Sequence, residues 1–169
     1  MKRVKYFLLI GVLSIFLSSC LFLKKNDATE YIEYRNSDIK IALKYPSHWK
    51  PDQNISYLAN QPSRFFGSDG FLALNVIASD GASLESIANK EVQSGDYGTN
   101  PELKRIIHNA KISFIIYPSS DQSPDENQRS CFITELRNVY RSNRVNYDFF
   151  ILFSDKEHLM KLVETLENL

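Results

Sequence analysis

Three histidines, His48, His108 and His158, are the side chains of this 169-residue chain best suited to acid–base or metal chemistry near neutral pH. None stands in a nucleophile elbow, a zinc-protease helix or any other recognisable signature. Asp155 and His158 are three residues apart in the first turn of a predicted terminal helix, so one metal ion could touch both. An acid at a helix N-terminus is already accounted for by the helix dipole, and a single pair cannot complete a metal site. Glu33, Glu85, Glu91 and Glu135 show no spacing that pairs carboxylates for catalysis, and they read as solvated faces. The only cysteines, Cys20 and Cys131, cannot form a metal or redox spacing. No catalytic residue, metal ligand or cofactor is therefore expected.

A second constellation is aromatic. Tyr45-Pro46-Ser47-His48-Trp49 and Arg64-Phe65-Phe66-Gly67-Ser68-Asp69-Gly70 place Trp49, Phe65, Phe66 and His48 in turn-like sequence. Such residues form a candidate binding surface. The same aromatics also suit the end of a hydrophobic core, since large rings dominate core burial.

The third is Cys20. Met1 to Lys5 is a short basic region, Tyr6 to Leu17 an uncharged apolar run, and Ser18-Ser19-Cys20 follow. This is the layout of a signal peptide, with the lysines kept in the cytoplasm while the apolar run enters the bilayer. Leu17-Ser18-Ser19-Cys20 resembles the lipobox of bacterial lipoproteins. The resemblance implies cleavage between Ser19 and Cys20, and a diacylglyceryl group on the Cys20 thiol. The rival reading is an uncleaved membrane helix over Tyr6 to Leu23, 18 uncharged residues and near the minimum for spanning. Either way the domain lies outside the cytoplasm and is tied to a membrane. Acylation would make that attachment durable, because each buried methylene adds about 0.8 kcal/mol. Leu21 is not Asp, so in a cell with two membranes the lipid-anchored chain is expected at the outer one. Lys24 and Lys25 can sit on anionic head groups or remain solvated.

The expected organisation is a signal peptide over 1–19, an acylated N-terminus and tether over 20–30, and one domain over 31–169. Ten extended residues reach only about 35 Å, so the domain must work close to the membrane. Formal net charge is zero, and without Lys2, Arg3 and Lys5 the chain holds 17 basic against 20 acidic residues. That mildly acidic body argues against nucleic acid as a partner.

Ile39, Ile41, Leu43 and Tyr45 alternate with polar or small residues, predicting a strand that Pro46 ends, with Tyr31 to Arg35 as its hairpin partner. Phe71 to Ala78 reads as a central strand covered on both faces. Ser83 caps a helix over Ser83–Gln93 that Gly95 stops. Thr99-Asn100-Pro101 opens a second, shorter helix carrying Leu103, Ile106 and Ile107. Ile112 to Tyr117 is a further strand, and 118–128 a polar loop. Cys131 to Tyr140 and Val145 to Phe153 form a long hairpin around Ser142-Asn143, with Cys131 small, inert and buried. Ser154-Asp155-Lys156-Glu157 is a capping box for a final helix whose stripe is Leu159, Leu162, Val163, Leu166 and Leu169. The Asn54-Ile55-Ser56 glycosylation triplet carries no weight in a bacterial chain. About six strands, mostly hairpin-connected, and two well-separated helices give an α+β fold: an α/β/α sandwich with a central, mostly antiparallel sheet.

Ile41-Ala-Leu-Lys-Tyr-Pro-Ser-His-Trp-Lys50, the Phe71 to Ile77 strand followed by Ser83-Leu-Glu, and the helix Leu159 to Leu166 together resemble the PsbP-like family over 31–169. The resemblance implies the same sandwich and, as in many bacterial members, a small lipoprotein. It places no functional residue. The expected function is a membrane-anchored, non-enzymatic binding or accessory domain with a protein partner in the cell envelope. A small hydrolase or metal-dependent enzyme using the histidines is the alternative, as is a binder of small ligands or lipids, which needs a pocket of some hundreds of cubic ångströms.

Overall fold

In the computed structural model, which describes residues 30–53, 58 and 62–169, the chain opens with an antiparallel hairpin of β1 (Tyr31–Asn36) and β2 (Ile41–Pro46). The signal segment, the Ser19/Cys20 cleavage point, the Cys20 lipid site, residues 20–29 of the tether and the Asn54-Ile55-Ser56 triplet lie outside the described residues. Asn36 closes the hairpin turn: its Oδ1 accepts the N–H groups of Asp38 (2.9 Å) and Ile39 (3.2 Å), while Lys40 takes φ 58°. Ile39, Ile41, Leu43 and Tyr45 are all buried, as their alternation requires. Pro46 ends β2, and the Trp49 N–H turns back onto the Pro46 carbonyl at 3.0 Å.

Eight further strands follow: β3 (Lys50–Pro51), β4 (Arg64–Phe66), β5 (Phe71–Ile77), β6 (Glu102–His108), β7 (Lys111–Tyr117), β8 (Arg129–Ser142), β9 (Val145–Asp155) and β10 (Glu167–Asn168). A seven-stranded sheet runs β3-β4-β5-β9-β8-β7-β6, and a three-stranded one β1-β2-β10. Every pairing is antiparallel. The helices are α1 (Leu84–Val92) and α2 (Leu159–Glu164).

Two cores separate these layers. Leu84, Ile87 and Ala88 of α1 pack with Tyr97 on Phe114, Ile116, Cys131, Ile133, Phe149 and Ile151. On the other face Leu159, Leu162, Val163 and Leu166 join the small sheet and Trp49 against Leu72, Leu74, Phe132, Phe150 and Leu152. Each such aliphatic side chain contributes about 1.5–3 kcal/mol on burial. The architecture is α+β, with a helix on each side of a central antiparallel sheet.

The details depart from the sequence reading in four places. Among the described residues there are ten strands rather than about six, because short edge pieces such as β3 and β10 carry too few residues to show a period. Residues 102–108 are strand β6, not helix. Asn109 (φ 48°) and Ala110 (φ 61°) form a tight hairpin turn that pairs β6 with β7 along its whole length. The capping box is replaced by Asp155 alone, whose Oδ1 accepts the N–H groups of Glu157 and His158 at 3.1 Å, while Ser154 stays in β9 and donates to the Phe71 carbonyl at 2.6 Å. Finally, β5 is fully buried on the Leu72/Leu74/Val76 side, but Ala73, Asn75 and Ile77 are half-buried. That partly open face borders a cleft.

Candidate functional site

Four segments meet at one end of the large sheet: the Ser47–Trp49 turn after β2, the Gly67–Gly70 turn between β4 and β5, the end of β9, and the start of α2. The Gly67 N–H bonds the Gly70 carbonyl at 2.9 Å, which points Asp69 at its neighbours. Asp69 Oδ1 accepts the Trp49 indole N–H at 2.8 Å and faces His48 Nε2 at 2.8 Å. Its other oxygen lies 3.9 Å from His158 Nε2. His158 Nδ1 in turn lies 2.8 Å from Asp155 Oδ1, and Asp155 Oδ2 accepts the Phe71 N–H at 3.3 Å. The indole of Trp49 meets the His158 ring edge-on, centroids 5.0 Å apart. His48, Asp69, His158 and Asp155 thus form a continuous polar chain wrapped around the one tryptophan.

The two glycines of the turn make this approach possible. A Cβ on Gly67 would overlap the Trp49 indole, and one on Gly70 would overlap the Asp155 carboxylate and come within 2.9 Å of Trp49 Cζ2. The hydrogen bond from His48 holds the Asp69 carboxyl below its ordinary value of 3.8; burial opposes this in part and the Trp49 N–H supports it. His158 Nδ1 faces the Asp155 carboxylate oxygen in hydrogen-bond geometry, which fixes the orientation of the ring. Asp155 is otherwise spent on three backbone N–H groups, and the far nitrogen of His158 points toward a second carboxylate. The cluster is therefore built to lock turns together. Among the described residues no group of three or more His, Cys, Asp or Glu side chains is arranged to hold a metal ion.

Around this cluster the surface is concave. One cleft of about 280 Å³ is walled by Phe66, Phe71 and Phe153 with Arg64, Asn75 and Arg129. The Arg64 guanidinium lies 4.4 Å above the Phe66 ring and that of Arg129 4.2 Å above Phe153. Arg129 also pairs with Asp96 (3.2 Å) and Glu126 (3.6 Å), while its Nε is buried without a partner. A second cleft of about 370 Å³ shares Phe66, Phe71 and Asn127 with the first and runs over Asp69 to Lys156. A broad hollow of about 700 Å³ continues along the Pro118–Pro124 loop. Stacked cations on aromatic walls suit a flat apolar group bearing a polar or charged substituent.

Of the aromatic constellation, Trp49 (1% exposed) and Phe65 (4%) are inside the core on the α2 side, Phe66 is half-buried on the wall of both clefts, and His48 is exposed; Phe65 and Phe66 lie in strand β4 rather than in a turn, because they pair with Leu72 and Phe71. His108 stands apart, edge-on to Phe132 at 5.3 Å and 3.0 Å from the Asn109 amide. Glu91 receives the Tyr97 hydroxyl at 2.7 Å, Glu33 binds Arg35, and Glu135 is exposed. Cys131 is completely buried, and that burial pushes its thiol well up. Sequence reasoning missed Asp69, Arg64 and Arg129 as individual residues. The Gly67-Ser68-Asp69-Gly70 run was the available signal for Asp69, since a glycine-flanked Asp is typical of a tight turn.

No family model matches the chain, and no curated protein matches it either. Among solved structures it is similar to cyanobacterial PsbP from a Synechocystis species, at 14% identity and a TM-score of 0.48, over 86% of this chain and 96% of that one. It is also similar to the Saccharomyces cerevisiae Ran-binding protein Mog1p, at 10% identity and a TM-score of 0.46, over 83% of this chain and 96% of that one.

Proposed function

We propose that this chain is a bacterial lipoprotein with a PsbP-like domain, held outside the cytoplasm by a lipid on Cys20, and that the domain binds an envelope protein through its cleft end. In a cell with two membranes the anchor is assigned to the outer one. The observation that carries the reading is where the chain enters the fold. The Glu30 carbonyl accepts the Ser47 N–H at 2.8 Å, so the tether arrives one residue from His48, at the end that holds the clefts. A tether of at most about 35 Å then keeps that end near the bilayer, where an envelope partner is concentrated.

Metabolic labelling with a fatty-acid analogue tests the anchor: label should be incorporated by the wild-type chain and lost in Cys20→Ala, and equal labelling overturns it. A photo-crosslinking residue at Phe66, with a control at Ile107, tests the cleft. A discrete adduct is expected at Phe66, absent at Ile107 and lost when Asn75→Trp fills the cleft. Identical adducts at both positions reject it. One observation favours a hydrolase instead, namely the convergence of His48 and His158 on Asp69. Equal turnover of an activated ester by wild type and His158→Ala would dispose of that reading.

A further inference from the structure

The end of the sheet opposite the clefts carries a different surface. β7 leaves β8 at the Ser113–Thr134 pair and β5 leaves β9 at the Ile77–Phe149 pair. Beyond these points β8 and β9 continue as a two-stranded arm. Between the Glu135–Phe149 and Tyr140–Tyr147 pairs, five steps along β8 match two along β9, so three extra residues bulge outward. Asn143 (φ 50°) and Arg144 (φ 68°) make the tip turn.

Bulge and tip together expose Val139 (57%) and Val145 (40%) and present Arg137, Arg141 and Arg144 to solvent. Among the described residues none of the three arginines pairs with a carboxylate. Residues 136–147 hold no acid at all, whereas from Glu30 onward the chain has 15 Lys and Arg against 19 Asp and Glu. The nearest carboxylates are Glu135, exposed at the base of the bulge, and Asp148, which accepts the Ser79 hydroxyl at 2.5 Å. Behind the tip, Tyr140 and Tyr147 stack in a tilted pair 5.7 Å apart.

The tip is thus cationic and apolar, and the two phenols behind it stand where an interfacial ring would meet the head groups. A fluid surface conforms to a two-stranded arm, whereas a stable protein interface needs a complementary partner surface of roughly 800 Å². We propose that the tip of this arm docks on the anionic head-group surface of a lipid bilayer. Arg137, Arg141 and Arg144 bind lipid phosphates, and Val139 and Val145 enter the boundary below them. The acidic remainder of the domain is repelled by the same surface, so the arm alone makes the approach. The inference is independent of acylation at Cys20.

The test uses the full chain in a Cys20→Ser background, carrying an environment-sensitive dye on Asn138→Cys and reconstituted into vesicles. Phosphatidylcholine vesicles containing phosphatidylglycerol should shift the dye emission to the blue, and pure phosphatidylcholine should not. In R137Q/R141Q/R144Q the bound-to-free ratio of the tip should fall about fivefold per arginine, on the order of a hundredfold in all. High salt should abolish the wild-type shift. Unchanged Trp49 emission verifies that the variant is folded. A triple variant that keeps the full shift, or a wild type that shows none, overturns the proposal. So does a shift produced without anionic lipid by soluble polyglutamate, which assigns the tip to an acidic protein, or one that grows only with protein concentration, which assigns it to a second copy.

Discussion

Asp69→Ala tests the reading that the polar chain at the cleft end is a lock. Trp49 is 1% exposed and its indole N–H has Asp69 as acceptor at 2.8 Å. Stranding a buried donor costs about 1–3 kcal/mol. The Asp69 side chain is 45% exposed, so water can reach the vacated position and the cost falls in the lower half of that range. The His48 pair, exposed on both sides, adds a few tenths of a kcal/mol. The total is about 2 kcal/mol, or roughly 4–8 °C in melting temperature. Asp69→Asn keeps an acceptor for the indole and should cost under about 1 kcal/mol. Because Trp49 is the only tryptophan, its emission follows the event directly, and it should move to the red in Asp69→Ala but not in Asp69→Asn. The Asp69 carboxyl is held below 3.8 by the His48 hydrogen bond, so its stabilisation is complete above the unfolded value. It is lost as the pH falls below about 4, where wild type and Asp69→Asn should converge. Asp69→Ala within about 0.5 kcal/mol of wild type, like an ordinary surface change, would refute the reasoning. Equal loss in both variants would move the cause from the indole acceptor to the charge.

Gly70→Ala should cost about 1–3 kcal/mol in chemical denaturation, because its Cβ would overlap Asp155 and crowd His158 Nδ1 (2.8 Å). Gly81→Ala, with nothing within 4 Å but φ +86°, should cost only about 1 kcal/mol, from its backbone alone. Cys131, buried and with its thiol pushed up, should react with thiol reagents only at the rate of unfolding; a fast reaction in the native state would contradict the packing. The Asp121 carboxyl is lowered to about 2 by the hydroxyls of Ser119 and Thr99. Its NMR titration should have its midpoint there, and the Thr99 amide, which donates to Asp121 at 3.2 Å, should lose its shift as the pH falls from about 4 toward 2. A midpoint near 3.8 would show the loop open in solution.

What the sequence revealed of this fold follows from how far each signal is local. The β2 alternation, the Ser83 cap and the Leu159/Leu162/Val163 stripe all lie within one element, and all three elements form. Residues 102–108 misled because Leu103, Ile106 and Ile107 have helical spacing by accident. Ile107 is 68% exposed on the edge strand, and what decides the segment is its pairing to β7. β10 exists only because Glu167 and Asn168 meet β2 across the length of the chain, which no local pattern encodes. The site shows the same division. Trp49 was legible as an aromatic in a turn, but Phe66 lies in strand β4, and that the first is buried while the second is left on a cleft wall depends on sheet pairing and on how α2 packs, which no local pattern encodes. Asp69 and Asp155 lie 86 positions apart in the chain, and only the closure of the sheet brings both to His158.

The charge distribution along the sheet links the two ends. β9 is 11 residues long, so about 36 Å separates the arginine tip from Asp155 and the clefts. In the proposed anchoring the tether enters beside the clefts, with a reach about equal to that length. A domain standing on its cleft end would hold the arm out of reach of the bilayer. Arm docking instead requires the domain to tip until the arm meets the surface, which the reach of the tether allows and the cationic tip favours over an anionic leaflet. In that posture the face lined by Arg64, Phe66 and Arg129 is held off the membrane and left free for the proposed envelope partner. On these two proposals, lipid docking by the arm decides which way the partner-binding cleft faces.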